Sequence, residues 1–418
     1  MDTAVRGIGV SMIKYGLCVL HAYMFNPLDF IFKKRISSVL GIDIGTASIK
    51  IAELKREGEG KFRLVNYAVL EMGLSVDASE RRGLSFDLQD EDLAKKIKLL
   101  RAEAGFVADA AVMSLPVFST FVTVMTMPPL SEKELAGAIP LQAREYIPIP
   151  ISEVVLDWKI IRTTTKADMT RADIAPGAVR QSVPGFQEVA GGAGGESEPA
   201  RDASHKTLGT EVLLMAAPQE MVQKYVRIAQ ASGLTMLGLE IESFALARAV
   251  PSDAKEPALL LDIGAVSSSI AIFDEGFLRV VHNLNISSND FTHAATRALG
   301  TDAARAAYHK EHYGLYASGG ETEIATAYLP MLEALSRDIE RVTSAYWRNT
   351  RRQVAEIVLS GGGSALKGLD RYLASRTRIP THAVNPFSRL LPPKDIIPAL
   401  PVLAPSLANA IGLAMKEI

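Results

Sequence analysis

Two stretches of the chain carry the same pattern of apolar and polar positions. Leu40-Gly-Ile-Asp43-Ile-Gly45-Thr-Ala-Ser48-Ile-Lys-Ile51-Ala can be laid over Leu259-Leu-Leu-Asp262-Ile-Gly264-Ala-Val-Ser267-Ser-Ser-Ile270-Ala with a small offset in the apolar lead-in. In each, a continuous apolar run reads as a buried strand that delivers an aspartate at its end. A glycine then turns the chain, small residues follow, and a second strand returns. The pattern predicts two matched β-hairpins.

The remaining periodicity fills in the elements around them. Lys61–Met72 reads as a third strand, and 91–104 as a helix with Leu93, Ile97 and Leu100 on one face and a stop at Gly105. Ala110–Leu115 and Phe118–Met127 read as strands. Ser131 and Glu134 form a capping-box signature, and the helix they start is expected to kink or break at Pro140 and to end before Pro148. Val154–Ile161 and Glu211–Ala217 are strand-like. Between them, from Arg162 to about Lys206, small and polar residues dominate, which predicts a flexible hairpin extension too poor in apolar surface to order itself. An amphipathic helix from Pro218 to Ala231, a strand over Leu237–Ile241 and a helix over 242–250 lead to the second hairpin. Beyond it come a helix over 290–299, a long helix marked by Leu332, Leu335, Ile339, Val342 and Tyr346, a strand over Glu356–Ser360 and a last helix over 404–415.

The first 36 residues are read separately. Ile8 to Tyr23 is apolar but carries Lys14 and His21, too short and too polar for a spanning helix. It lacks a small-residue cleavage site, so a signal peptide is not expected, and Met24 is a second candidate start. After Met24 a short helix is predicted, with Asn26 as cap, Pro27 in the first turn and Phe25 and Phe30 as a staple. Its apolar face (Leu28, Ile31, Phe32, Ile36) beside Lys33-Lys34-Arg35 suits packing on the body or contact with an acidic membrane surface or a membrane-bound partner.

Composition narrows the function classes. At 418 residues the chain has room for two or three domains, and 48% hydrophobic with 22% charged residues describes a soluble globular protein. A net charge of −2 offers no electrostatic footprint for nucleic acid. Cys18 is the only cysteine, which excludes an internal disulfide and a cysteine-ligated metal and fits a reducing cytoplasm. The histidines form no HExxH pattern; His309 and His312 share a helix face without a carboxylate partner.

The chemistry is concentrated in the two turns. Hairpins closing from opposite sides can offer backbone N–H groups of Gly45, Thr46, Ala47 and Ser48, and of Gly264, Ala265, Val266 and Ser267, to a polyphosphate. Asp43 and Asp262 are the candidates for holding Mg²⁺, through water, since that ion normally keeps several waters. Lys50 has two readings: it reaches the phosphates or it solvates a strand edge. A third element, Ser360-Gly361-Gly362-Gly363-Ser364, lies between a strand and a helix, where glycines let the backbone approach a flat ligand. As a dinucleotide fingerprint it fails, because the third glycine would fall at Leu366, and no Walker A loop is present.

In this order the three pieces resemble the actin-like ATPase superfamily. Met127-Pro-Pro-Leu-Ser-Glu-Lys-Glu134, Ala143-Arg-Glu-Tyr-Ile-Pro-Ile-Pro150 and Leu156-Asp-Trp158 resemble the small inserted subdomain of the type IV pilus assembly family PilM. Leu239-Glu-Ile-Glu242-Ser-Phe-Ala245-Leu-Ala-Arg248, Asn385-Pro-Phe387 and Ala408-Asn-Ala-Ile-Gly-Leu-Ala414 are similar to its interlobe connection and C-terminal section. The resemblance implies an α/β, two-lobed actin-like fold of duplicated RNase H-like domains with a small α+β insert. The implied division is an extension and short helix over 1–36, a first lobe over 37–127 and an insert over 128–217. A return and interlobe connection (218–255), a second lobe (256–403) and a closing helix (404–418) follow. It also implies a cytoplasmic protein that binds ATP with Mg²⁺ and holds the cytoplasmic tail of the membrane protein PilN. Glu242 falls where the superfamily orients water near the metal, with a helix-capping glutamate as the other reading; Lys310 falls near the ribose and adenine. The chain departs from the family at Ala307, where a glutamate is usual, and at His282 and Ser287-Ser288, where an arginine and paired glycines are usual. These departures point to nucleotide binding without established turnover. The other readings of the same motifs are an FtsA-like filament protein, the cytoplasmic half of GspL, and a small-molecule kinase. The last would need a substrate-facing carboxylate that the sequence does not supply.

Overall fold

The computed structural model describes residues 37–58, 61–72, 89–163, 209–250, 256–316 and 322–417. The expected N-terminal helix and the small-residue loop beyond residue 163 lie outside them.

The first lobe opens with β1 (Val39–Ile44), β2 (Ser48–Gly58) and β3 (Lys61–Glu71), followed by α1 (Asp90–Ala104) and β4 (Ala110–Leu115). β1 and β4 are buried at every position, which is why their sequences are unbroken apolar runs rather than alternating ones. α1 ends where Gly105 adopts φ 71, a left-handed cap. A small unit follows: β5 (Phe121–Met127), α2 (Glu132–Gln142), β6 (Val154–Thr163) and β7 (Thr210–Pro218). Then α3 (Gln219–Ala231), β8 (Thr235–Ile241) and α4 (Glu242–Ala249) return the chain to the first sheet.

The second lobe contains β9 (Ala258–Ile263), β10 (Ser268–Asp274), β11 (Phe277–Leu284), α5 (Ser288–Leu299), α6 (Ala303–His312) and α7 (Thr322–Thr350). It continues with β12 (Glu356–Ser360), α8 (Leu369–Thr377) and β13 (Thr381–Ala383). β14 (Leu390–Leu391) and α9 (Leu400–Ala414) close the described chain.

Three sheets result, in the orders β14-β3-β2-β1-β4-β8, β11-β10-β9-β12-β13 and β5-β7-β6. The run β3-β2-β1-β4 pairs antiparallel, antiparallel, parallel, and β11-β10-β9-β12 repeats it. The outermost pairs, β4 with β8 and β12 with β13, are both parallel. The two large lobes therefore share one topology, as the matched hairpins predicted.

Three boundaries differ from expectation. β5 pairs with β7 in the small sheet, so the insert begins near Phe121 rather than at 128. β14 adds to the first sheet beside β3, so the chain rejoins the first lobe ahead of residue 403. α2 runs through Pro140 to Gln142 without breaking. Pro140 sits in the last turn, where its missing N–H removes a single bond before a 3₁₀ turn at Ala143–Glu145 takes over.

Packing joins the lobes. One core cluster runs from Leu40, Ile42 and Met113 through Leu213 and Met215 to Leu260, Ala271 and Val281. A second lies within the second lobe, where Phe291 and Tyr328 meet edge to face at 5.7 Å beneath α7. α9 packs on β1, β2 and α4. That approach requires glycine on both sides: a Cβ on Gly41 would strike the Ala410 carbonyl, and one on Gly412 the Ala245 carbonyl. The small sheet leans on β11 through an Arg279–Glu211 ion pair at 3.2 Å and Lys159 over the Phe277 ring.

Candidate nucleotide-binding site

Both hairpin turns close in the same way. Gly45 N–H donates to Ser48 O at 3.0 Å, and Gly264 N–H to Ser267 O at 3.0 Å. A Cβ would lie 3.2 Å from Ser48 O in the first turn and 2.6 Å from Ser267 O in the second, so glycine is what allows the tight closure. The N–H groups of Thr46, Ala47, Ala265 and Val266 donate to nothing among the described residues. These four donors are the groups a phosphate could take up. Ser48 lies at the start of β2, and Ser267 just ahead of β10.

The carboxylates at the strand ends are held differently. Asp43 is 3% exposed and accepts from Ser114 Oγ at 2.8 Å and from Lys50 Nζ at 3.4 Å. Ser114 Oγ also accepts the N–H of Ile44, so it fixes both the strand end and the carboxylate. Asp262, half-buried, accepts from Asn409 Nδ2 at 3.0 Å, a side chain on α9. Glu242, the first residue of α4, is half-buried and accepts the Val117 N–H at 3.1 Å. It binds the chain entering the insert rather than capping its own helix.

These groups form one electrostatic cluster. Burial alone would lower the Lys50 ammonium, but Asp43, Asp262 and Glu242 outweigh it and hold its pKa above the ordinary lysine value. The proximity to three carboxylates favours the inward-reaching reading of Lys50 over strand-edge solvation. Burial, then repulsion from Asp262 and Asp43, pushes Glu242 up to about 8, against the Val117 N–H and Lys50. Burial likewise raises Asp262, with Asn409 and Lys50 opposing. Three acidic groups thus face one ammonium, an excess of negative charge that a cation would relieve.

The third element plays a different part from the one expected. A Cβ on Gly361 would strike Asp262 Oδ1, and one on Gly363 would strike the Ile263 side chain. These two glycines admit the second hairpin itself rather than a flat ligand. Only Gly362 of the three faces open space. Ser364 Oγ is engaged with the Gly361 carbonyl at 2.6 Å.

Lys310 is 6% exposed, and its Nζ donates to Ser288 Oγ at 2.7 Å and Thr292 Oγ1 at 3.1 Å. Burial lowers its pKa, with Glu311 opposing. Ser287 and Ser288, the departures from the family's glycines, form the start of α5. There Ser288 N–H donates to Gly264 O and Asn289 N–H to Ala265 O, so the helix buttresses the second turn from behind. Ser287 Oγ and N–H both bond Asp290 in a capping box. His309 and His312 do not pair as ligands: His312 stacks on Tyr308 at 3.9 Å, and His309 is buried.

Ser114 and Asn409 escaped the sequence reading as site residues. Each left a signal: Ser114 is the one polar residue of a buried apolar strand, and Asn409 is, with Ser406, one of two in a mostly apolar helix. Among the described residues no three acidic, histidine or cysteine side chains gather as direct ligands for a metal, and no helix is long and apolar enough to cross a membrane.

Two lobes of one topology, paired acidic turns at their strand ends and a small inserted sheet define an actin-like two-lobed α/β protein. A family model described as type IV pilus assembly protein PilM matches residues 41–183 and 199–418, and the chain belongs to that family. Among solved structures, it is similar to a PilM-PilN type IV pilus biogenesis complex. That match is 24% identical with a TM-score of 0.68, over 90% of this chain and 98% of the other. More distant likenesses are the ethanolamine utilization protein EutJ from Carboxydothermus hydrogenoformans (13% identity, TM-score 0.49, 90% and 88% covered) and MreB 5 of Spiroplasma citri bound to AMPPNP (11%, 0.45, 92% and 96%).

Proposed function

We propose that this protein is a cytoplasmic, ATP-binding scaffold of the type IV pilus inner-membrane assembly complex that holds the cytoplasmic tail of a PilN-like membrane protein. The observation that carries the nucleotide half of this reading is the cluster of Asp43, Asp262 and Glu242 around Lys50. The Mg²⁺ fit is that of a water-mediated site: the acidic excess suits a divalent cation, while no direct ligand set gathers among the described residues. When bound, the ion would neutralise phosphate charge and present water molecules to Asp43 and Asp262. The unused N–H groups of Thr46, Ala47, Ala265 and Val266 would take phosphate oxygens, as backbone nests do. Lys50 would supply a positive charge beside them, and Lys310, buried and without a carboxylate at hydrogen-bond distance among the described residues, a second one near the ribose. Gly362 and Ser364 would border the base. Glu242, whose carboxyl is pushed up to about 8, would orient water beside the ion.

The partner half rests on family membership and on the likeness to the PilM-PilN complex. Nucleotide can favour a closed form only by binding it more tightly than the open one. The closed form would then capture the peptide tail. Titration calorimetry with ATP, with and without Mg²⁺, and a pull-down with the N-terminal peptide of a PilN-like protein test the two halves separately. Saturable heat that needs Mg²⁺, and retention of the peptide, are expected; no heat in either condition would remove the nucleotide half, and no retention with or without ATP would remove the partner half.

A further inference from the structure

A concave site of about 560 Å³ lies on the second lobe between α8 and the 3₁₀ turn Gly314–Tyr316, and it shares no lining residue with the carboxylate cluster. Arg371, Arg376 and Arg378 line it, together with Tyr316 and Tyr372. The site is built rather than incidental. Leu315 N–H donates to Lys367 O at 2.9 Å, which ties the turn to the start of α8. Gly368, at φ +90, is what admits the Tyr316 ring, since a Cβ there would come within 3.1 Å of it. Arg371 then lies over that ring, 5.6 Å from its centroid.

Electrostatics of the helix accounts for Arg376, in the last turn of α8 where the dipole favours a cation, but not for Arg371. Arg371 is the third residue of α8, at the end where the helix dipole disfavours a cation. Arg378 occupies the left-handed cap of the same helix at φ 60, a conformation that glycine adopts more readily. Among the described residues no carboxylate pairs with any of the three. Beside the site the surface is aromatic: Tyr308, Tyr313 and Tyr316 are 52%, 41% and 49% exposed. Unpaired arginines beside exposed tyrosines are the composition of a protein interface, and their charge selects an acidic partner. The lining arginines are themselves exposed, unlike the enclosed, mainly apolar walls of a small-molecule pocket.

We infer that this face of the second lobe is a docking site for an acidic peptide segment of a partner protein, with Arg371, Arg376 and Arg378 pairing its carboxylates and Tyr316 and Tyr372 packing against it. The site does not depend on nucleotide. The test uses the full chain and a fluorescein-labelled dodecapeptide of alternating glutamate and tyrosine, followed by anisotropy at near-physiological salt. Saturable binding is expected, weakened by about tenfold or more on combining Arg371→Gln with Arg378→Gly, and unchanged by Arg337→Gln on α7. Arg378→Gly keeps the left-handed backbone while removing the charge, and Arg371→Gln alone, expected to weaken binding about threefold, reads the site if the pair perturbs folding. Absence of saturable binding, or equal loss with Arg337→Gln, would overturn the assignment. So would equal binding of the glutamine-tyrosine counterpart, or tighter binding to inorganic pyrophosphate or to phosphatidylserine vesicles than to the peptide.

Discussion

The two lobes repeat one strand order, yet their equivalent positions carry different loads. Gly41 in β1 corresponds to Leu260 in β9, both two residues ahead of the turn aspartate. In the first lobe the glycine lets α9 lie directly on the strand, whereas in the second the leucine fills core. Ser114 and Ser360 stand beside Asp43 and Asp262 on the neighbouring parallel strands, Ser360 in direct register with Asp262. Ser114 bonds its aspartate; Ser360 donates instead to the Pro405 carbonyl, and Asn409 has taken over at Asp262. Both Pro405 and Asn409 belong to α9, which packs mainly on the first lobe. Duplication supplied a symmetric frame, and one helix packed mainly on the first copy, with Pro405 and Asn409 reaching the second, made the two acidic turns unequal. The second turn is braced by two α5 amides, the first by the Met72 N–H on the Ala47 carbonyl.

The sharpest way to break that comparison is to give the first lobe the residue of the second. Gly41→Leu drives a side chain into the α9 backbone and is expected to cost about 3 kcal/mol or more, read as a fall in the urea midpoint. A midpoint near that of the parent protein would show that α9 is not locked by Gly41. Next in size is the contribution of Glu242 to the pH dependence of stability. Its folded-state pKa of about 8 lies above the ordinary 4.5, so the folded state retains a proton that the unfolded state releases between those values. Stability of the nucleotide-free protein therefore falls as pH rises from about 4.5 toward about 8. Glu242→Gln should flatten that slope and add about 2 kcal/mol at the alkaline end, measured by melts across the range. An unchanged slope would remove Glu242 from the cluster.

Smaller effects separate the two turns. Gly264→Ala meets Ser267 O at 2.6 Å and should cost about 2 kcal/mol, whereas Gly45→Ala, with 3.2 Å to Ser48 O, should cost about 1 kcal/mol or less. Equal losses in denaturant melts would contradict the geometric difference. Smallest is Asn409→Ala, which removes the bond from α9 to Asp262 and should lower stability by about 1 kcal/mol. In that variant the Asp262 carboxyl should titrate higher still, visible by NMR, because the Asn409 donor opposes the upward shift.

Most of the strand plan was legible because buried parallel strands are written as apolar runs and helices as single faces. The matched hairpins, α1, α7 and β12 all lie where the pattern put them. The short edge strands β13 and β14 carry three and two residues, too few for any period to register. Among the candidate residues, the turn glycines could be read locally because tight turns need them. The part played by Gly361 and Gly363 could not, because what fills their space, Asp262 and Ile263, lies a hundred residues away in sequence. For the same reason the partners of the aspartates were hidden: Ser114 and Asn409 acquire meaning only when β4 and α9 are placed beside the turns.

The account turns on both acidic turns serving one bound magnesium nucleotide. A double-mutant cycle read by calorimetry of ATP with Mg²⁺ on the parent, Asp43→Asn, Asp262→Asn and the double variant tests this most directly. Each single change should weaken binding about 10–100-fold, as loss of a partner to a metal-bound water does, and the double variant should lose less than the sum of the two. Unchanged affinity in either single variant, or strictly additive losses, would contradict a site shared between the lobes.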